Sequence, residues 1–545
     1  MSNIRYGDEN MRSSRSSSYS PEIRPLLSSS SVAFTLGTAA MDQPDGPDSP
    51  LNSVEEKSIK LTPVKTGRIR SVLYACVVAV LGSFSIGFVI GFSSPALPDL
   101  DKKSGTHTDM NKNIYHSMFN ALMPVGAVFG GLIGGWMVDY FGRQLSLMLS
   151  SIPMMIGWIM ILVTYATDGP LFRPLLFAGR YFTGIGVGCF SSSIALYISE
   201  IAPGKLRGLF GVMNQLSLTI GVFAVQAFGI GLEYEWLSVI ALVVLAVFVP
   251  LVTTLVETPR WLISRGRNLQ ANKVLLWLRG KSYSVTIEQN EIEVQIASED
   301  KLTFRQSLAE LRNRAVYHPT ILALSLMFFQ QFIGINAVVF NAEKIFEQSK
   351  VSNAATVASL AVGGVQVIAT FVGFLLTDVL GRRILLIGGG AIMTLSMVSM
   401  GTYGYVTNEP YCNPDAPNNV NFTTGCVEHL QPLAITSIMF YIIGFGIGWG
   451  ALPWLMSSEI IPMRVRGFGM GLATLTNYGC AAIVTGAFEG YQDAVQPWGT
   501  FWSFAVMCFL SIIFVAVFIP ETKGRSLEEI ERYFHHRYRK NYVPL

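Results

Sequence analysis

An all-α membrane protein of twelve transmembrane helices, arranged as two six-helix halves joined by a helical linker, is the fold this sequence predicts. Three observations predict it. Only 14% of the 545 residues are charged, against about 25% in ordinary globular proteins. The apolar residues come in long uncharged runs, such as 71–92 and 236–256, and a bilayer core about 30 Å thick takes about 20 such residues as a helix. Basic residues crowd alternate loops: Arg143, Lys205 and Arg207, the 260–314 segment, Arg382 and Arg383, Arg464 and Arg466, and 523–540. By the positive-inside rule those loops and both termini are expected to face the cytoplasm.

The elements follow in chain order. Residues 1–70 are rich in Ser, Pro and Asp, with too little apolar surface to offset the entropy of ordering, and are expected to form a disordered cytoplasmic tail. No basic stretch followed by an apolar run marks a signal peptide there. Glu22 with Leu26 and Leu27 makes an acidic dileucine pattern. It resembles adaptor-binding sorting signals of endosomal and lysosomal membrane proteins, which implies a clathrin adaptor as partner; the location expected is the plasma membrane, the endosomal-lysosomal membrane, or both. Spans are expected near 71–96, 117–138, 146–166, 174–199, 210–232 and 236–256, forming the first half. The linker 257–318 carries amphipathic helical spacing in "LQANKVLLWLRG" and "FRQSLAELRNRAV" and should lie under the bundle. The second half should span near 319–342, 355–377, 384–406, 432–458, 467–488 and 499–519, followed by a cytoplasmic tail, 520–545.

Between the ninth and tenth spans, Asn421-Phe422-Thr423 is the only Asn-x-Ser/Thr of the chain, an N-glycosylation acceptor on the expected non-cytoplasmic side. Cys412 and Cys426 bracket it, in a compartment that permits a disulfide. The other four cysteines fall in spans and read as packing residues. No Cys–His cluster has metal-ligand spacing, and no carboxylate pair or Ser-His-Asp arrangement can be placed. No cofactor, metal or catalytic residue is expected, so the chain does not read as an enzyme.

Two signatures recur. Asp139-x-x-Gly142-Arg143 follows the second span and Asp378-x-x-Gly381-Arg382 follows the eighth. Glu200-x-x-Pro-x-x-x-Arg207-Gly closes the fourth and Glu459-x-x-Pro-x-x-x-Arg466-Gly closes the tenth. Internal repeats in a polytopic protein mark transporter architecture, with a substrate site near the midplane between the halves. The eight charges, Asp139, Arg143, Glu200, Arg207, Asp378, Arg382, Glu459 and Arg466, are expected to pair between motifs as a cytoplasmic gate. Pairs that form only when the two cytoplasmic faces approach would stabilise the outward-open form. Each exposed pair contributes about 0–1 kcal/mol, more when desolvated.

These signatures, with "ETPRWL" (257–262), "QQFIGIN" (330–336), "LPW" (452–454) and "PETKGR" (520–525), resemble the sugar porter family of the major facilitator superfamily over about 70–530. "GFVIGFSSPALPDL", "GWGALPW", the dileucine and the ninth-to-tenth loop resemble the class III facilitative hexose transporters, and the insect trehalose facilitators are similar. The resemblance implies a monomeric carrier of a sugar. Against the family pattern, Tyr140 and Gln144 stand where basic residues are usual, Ala195 replaces a proline, and Phe340 and Asn341 replace two tyrosines. Gly446 replaces a glutamate and Tyr478 a tryptophan.

Sugar recognition calls for neutral groups that donate and accept hydrogen bonds, which side-chain amides do. Such groups are costly in lipid and belong on a cavity or a helix interface. The candidates are Gln215, Gln330, Gln331, Asn336, Gln366 and Asn477, with Trp454 to stack on a pyranose ring beside the helix-bending Pro453. Gln330 and Asn336 are about 600° apart on a regular helix, so a break near Gly334 would be needed to aim both inward. Family symporters carry an acid in the first span, but 71–96 contains no Asp or Glu, and Val89 stands at that position. Arg180 in span four is therefore expected to support structure. The function expected is facilitative, uniport transport of a hexose such as glucose or fructose. A trehalose facilitator, a proton-coupled symporter and a sugar sensor on a transporter fold are the alternatives.

Overall fold

The computed structural model describes residues 69–104, 109–167, 169–203, 207–280, 285–298, 306, 309–348, 355–408, 420–525 and 527–539. The dileucine residues Glu22, Leu26 and Leu27, and Cys412, lie outside the described residues. Asn421 and Cys426 fall on a helix that begins at Val420, but their side chains are outside those described.

The first half comprises α1 (Ile69–Gly91), α2 (Ser93–Ser104), α3 (Asp109–Phe141), α4 (Arg143–Val163), α5 (Phe172–Ile201), α6 (Arg207–Phe228) and α7 (Tyr234–Thr253). The linker folds as α8 (Pro259–Ser264), α9 (Asn268–Arg279) and α10 (Val285–Ser298). The second half comprises α11 (Arg314–Phe332), α12 (Ile335–Phe340), α13 (Ala342–Gln348), α14 (Ala355–Leu380), α15 (Arg382–Asn408), α16 (Val420–Gly444), α17 (Leu452–Ile460) and α18 (Arg466–Phe518); α19 (Leu527–Arg539) follows. Among the described residues 11 helices are long and apolar enough to cross a bilayer.

Eleven such helices still make twelve crossings. α18 has 53 residues, and a straight helix of that length would run about 80 Å, far beyond a core about 30 Å thick. It is broken at Gln496, at φ 66 and ψ 157, just before Pro497. The backbone reverses there, and Pro497 restarts a helix with its ring at a position where no N–H is needed.

Helices pack closely where the sequence offers no side chain. A Cβ on Gly130 of α3 would stand 2.1 Å from the carbonyl oxygen of Ile185 on α5, and one on Gly188 of α5 would stand 2.2 Å from that of Ala127. Reciprocal small residues at four-residue spacing let two backbones touch, which is how spans associate when lipid is as apolar as the side chains. One large core runs through both halves, from Phe88, Trp158 and Phe190 to Phe340, Tyr441 and Trp449.

α9 falls on the predicted "LQANKVLLWLRG". It packs Ala271 with Leu262 and Ile263 of α8, and Arg279 at its end donates to the Ile201 carbonyl of α5 at 3.1 Å and pairs with Glu288 of α10 at 2.8 Å. The segment after 520 is more than a tail: Ile530 and Phe534 of α19 are buried, and the helix packs on α11 and α17. Counting crossings, the ends of α3, α5, α14 and α17 that carry the repeated signatures share one face, the motif face. The opposite end of the bundle is the far face.

Candidate functional site

At the motif face each half builds one charge network. Gly142 sits at φ +94, a region that L side chains avoid, so the chain turns within one residue from α3 into α4. That turn places Arg143 at the start of α4, beside the end of α5. Its Nη2 donates to Glu200 Oε1 at 2.7 Å and its Nη1 to the Val138 carbonyl at 3.3 Å. Thr258 Oγ1 donates to the other oxygen of Glu200 at 2.6 Å. Glu257 closes the network by accepting from the backbone N–H groups of Arg143, Gln144 and Thr258 at 2.9, 3.2 and 2.8 Å. A carboxylate at a helix N-terminus meets unpaired N–H groups and the positive end of the dipole.

The second half repeats the plan. Gly381 is at φ +92, and Glu521 accepts from the backbone N–H groups of Arg382, Arg383, Thr522 and Lys523 at 3.1, 3.0, 3.0 and 2.9 Å. Arg382 approaches Glu459 Oε1 at 3.7 Å. Glu257 and Glu521 are thus a third repeated signature that the sequence reading missed as a pair. Its signal was visible: Glu-Thr follows the sixth span directly and the twelfth after Pro520.

Among the described residues, the pairs Arg143–Glu200 and Arg382–Glu459 each lie within one half. Arg143 and Arg382 each meet the glutamate of their own half, because the glycine turn delivers each arginine to the neighbouring helix end of its own bundle. Asp139 is exposed; its backbone carbonyl, rather than its carboxylate, holds the linker, accepting from Trp261 Nε1 at 3.2 Å and Arg265 Nη2 at 2.9 Å. Arg466 opens α18. The side chains of Arg207 and Asp378 are outside those described.

Among the described residues, hydrogen bonds join the halves at mid-depth and toward the far face. Ser191 of α5 and Tyr478 of α18 share a hydrogen bond of 2.7 Å, Asn120 of α3 donates to Asn341 at 3.3 Å, and Asn113 donates to Asp493 at 2.7 Å. Two of the departures, Tyr478 and Asn341, therefore supply contacts between halves. A third has a steric reason: a Cβ on Gly446 would stand 2.7 Å from that of Ala369, so no glutamate fits there.

Four of the six amides converge. α11 stops at Phe332, Gly334 takes φ +93, and α12 begins at Ile335, which is the break needed to bring Asn336 round. Gln330 Nε2 donates to the Trp449 and Gly450 carbonyls at 2.8 and 2.9 Å. A π-helical segment, Phe445–Trp449, interrupts the tenth span there and leaves those oxygens in need of donors. Asn477 Nδ2 donates to Gln330 Oε1 at 2.7 Å, Gln331 Nε2 to Asn477 Oδ1 at 3.0 Å, and Asn336 Nδ2 to Gln331 Oε1 at 2.6 Å. Gln330, Gln331 and Asn477 are buried, while Asn336 is half-buried at the open end of the chain. Trp454 is half-buried at the start of α17, and Pro453 is in the first turn. Gln366 is buried on α14 with Oε1 unpaired. Gln215, half-buried on α6, does not join the cluster.

Arg180 is fully buried in α5. Nη2 donates to Ser93 Oγ at 2.7 Å and Nη1 to the carbonyl of Val89 at 3.1 Å, and the guanidinium lies 4.7 Å from the centre of the Phe119 ring. Neutral acceptors and a π face satisfy it where a carboxylate would otherwise be required.

The profile of the family described as "Sugar (and other) transporter" matches residues 75–534. The chain belongs to this family. This transporter is 37% identical over 480 residues to mouse solute carrier family 2, facilitated glucose transporter member 8, covering 87% of the chain and 96% of that protein. It is 33% identical over 527 residues to the facilitated trehalose transporter Tret1 of Bombyx mori, covering 96% and 95%. Its fold is similar to the proton:xylose symporter XylE bound to 6-bromo-6-deoxy-D-glucose, with TM-score 0.70 and 25% identity over 86% of this chain and 99% of that one.

Proposed function

We propose that this transporter is a facilitative hexose carrier working by alternating access, with the motif face cytoplasmic. The observation that carries the sugar reading is the amide chain Gln330–Asn477–Gln331–Asn336 at the broken seventh span. Buried amides bonded in series hold one another in fixed orientation and leave free valences at the half-buried Asn336 end. Hydroxyls of a pyranose match amide donors and acceptors, and its C–H face matches an indole. Gln330, whose donors are taken by Trp449 and Gly450, positions the chain; Gln331, Asn336, Gln366, Trp454, Asn477 and Gln215 line the route. The relatives named for glucose and trehalose support the substrate class.

Arg180 favours uniport. A proton carrier needs a titratable group that changes partner during the cycle, and here the buried guanidinium is met by Val89 and Ser93. The positions of the basic loops support the cytoplasmic assignment of the motif face, and the inter-half hydrogen bonds toward the far face are in keeping with an inward-facing form. Glu22, Leu26 and Leu27 act as the sorting signal and Asn421 as the glycan acceptor. L26A/L27A should move the protein to the cell surface.

Counterflow of radiolabelled glucose, fructose and trehalose in proteoliposomes, with and without a pH gradient, tests the reading. Accumulation of labelled hexose without any response to the gradient is expected. Transport of none of the three sinks the sugar reading; stoichiometric proton entry replaces uniport by symport. Asn477→Ala unpairs two buried amides, a loss of about 1–3 kcal/mol, and should abolish uptake while leaving the protein in the membrane.

A further inference from the structure

The far face carries a buried charge cluster that the transport cycle as described does not use. His116 of α3 is 3% exposed and Glu489 of α18 is 2% exposed. His116 Nε2 lies 2.8 Å from Asp101 Oδ1 of α2, in its own half. Its Nδ1 faces Glu489 Oε1 of the other half at 3.9 Å, and Lys344 of α13 donates to the second oxygen of Glu489. Further out, the Tyr115 ring neighbours His116 at 6.0 Å and itself carries Arg173 at 5.8 Å. Asn120 is one turn along α3, and Gln492 is one turn beyond Glu489 with Nε2 buried and unpaired.

The geometry fixes the proton. A carboxylate only accepts, so Asp101 draws the imidazole N–H of a neutral His116 to Nε2. That leaves Nδ1 as an acceptor facing another acceptor, and both Nδ1 and Glu489 Oε1 are buried without a hydrogen bond. Two buried acceptors set face to face are unfavourable. One proton added at Nδ1 makes a donor of it, satisfies both atoms, and balances two carboxylates with His116 and Lys344. When the far face opens, α3 parts from α13 and α18, and His116 keeps only Asp101.

We infer that His116, Asp101, Glu489 and Lys344 form a proton-binding site shared by the two halves, and that its occupancy favours the form closed at the far face. Histidine is the side chain that ordinarily titrates between pH 5 and 8. By linkage, acidification on the far side biases the carrier toward opening at the motif face, and alkalinisation releases it. The proton acts on the conformational equilibrium and is not a transported substrate. The inference rests on the alternating-access reading but not on the identity of the sugar.

Hydrogen exchange of the purified full-length protein in nanodiscs, without sugar, tests it at about pH 7.5 and about pH 5.5, either side of an ordinary histidine. After correction for intrinsic rates, α2, α13 and the first turns of α3 should gain protection at the lower pH while α8 and α9 lose it. Each unit by which the site's pKa differs between the two forms gives about a tenfold change in their ratio. His116→Asn and Glu489→Gln should each flatten this response. A response retained in either variant, or absent in the wild type, overturns the inference. Loss of sugar flux in a protein that keeps the response would instead count against the transport reading.

Discussion

The two halves build the same motif-face network to different tightness. In the first, Arg143 meets Glu200 at 2.7 Å, with the two side chains 11% and 5% exposed, and Thr258 donates to the same glutamate. In the second, Arg382 stands 3.7 Å from Glu459, with side chains 16% and 18% exposed, and the Oγ1 of Thr522, at the position of Thr258, is buried without a partner. The backbone caps run the other way. Burial pushes Glu257 above the ordinary carboxylate range, and the N–H groups of Thr258, Arg143 and Gln144 only partly oppose it. Burial acts on Glu521 too, but the N–H groups of Lys523, Arg383, Arg382 and Thr522 together hold it below that range. Duplicated sequence thus gives a short side-chain clamp in the first half and a backbone-held cap in the second.

The comparison breaks most decisively at the ion pairs. Glu200→Ala strands a largely buried guanidinium and should cost about 3–5 kcal/mol, whereas Glu459→Ala, at the longer and wetter pair, should cost less. Unfolding midpoints in detergent measure both, and equal losses would erase the asymmetry. Gly142→Ala places a Cβ 2.4 Å from Glu257 Oε2 in left-handed backbone, at about 1–3 kcal/mol. Gly381→Ala meets Glu521 at 2.8 Å and should cost somewhat less. Thr258→Val should lose about 1–2 kcal/mol with its hydrogen bond to Glu200, while Thr522→Val, which gives up no bond, should be near neutral.

The smallest effect is in the pH profile. Glu521, with its folded value depressed, contributes stability that is present above the ordinary value of 4.5 and lost as pH falls through the lower folded value. Glu257, with its value raised, contributes in the opposite sense, with stability present below 4.5 and lost as pH rises through the higher folded value. The cost of E521Q should therefore fade on acidification below about pH 4.5, and the cost of E257Q should be smaller at neutral pH than at acid pH. Unfolding midpoints between about pH 3 and 7 separate the two signs.

Much of this was legible in the chain. Uncharged runs and alternate basic loops located the spans, since no other element satisfies the backbone in lipid. The spacing of Gln330 and Asn336 demanded a break, and Gly334 was the residue able to make it. Less legible was the partner of each motif charge. Arg143 and Glu200 are 57 residues apart, and nothing in their repeat says whether the arginine turns to its own bundle or across to the other. Gln330 was equally ambiguous: its donors are consumed by carbonyls that a π turn exposes, and no residue of "FGIGW" announces a π turn.

Hydrophobic length, charge placement and internal duplication by themselves determined the crossings, the two halves and the transporter class, because these follow from local composition against the thickness of a bilayer. Tertiary structure alone decided which charges pair, which amides are spent on backbone, and that His116 meets Glu489 across the halves. Those contacts join residues hundreds of positions apart, and their directions are set by glycine turns, helix breaks and close packing that act only once the helices have assembled.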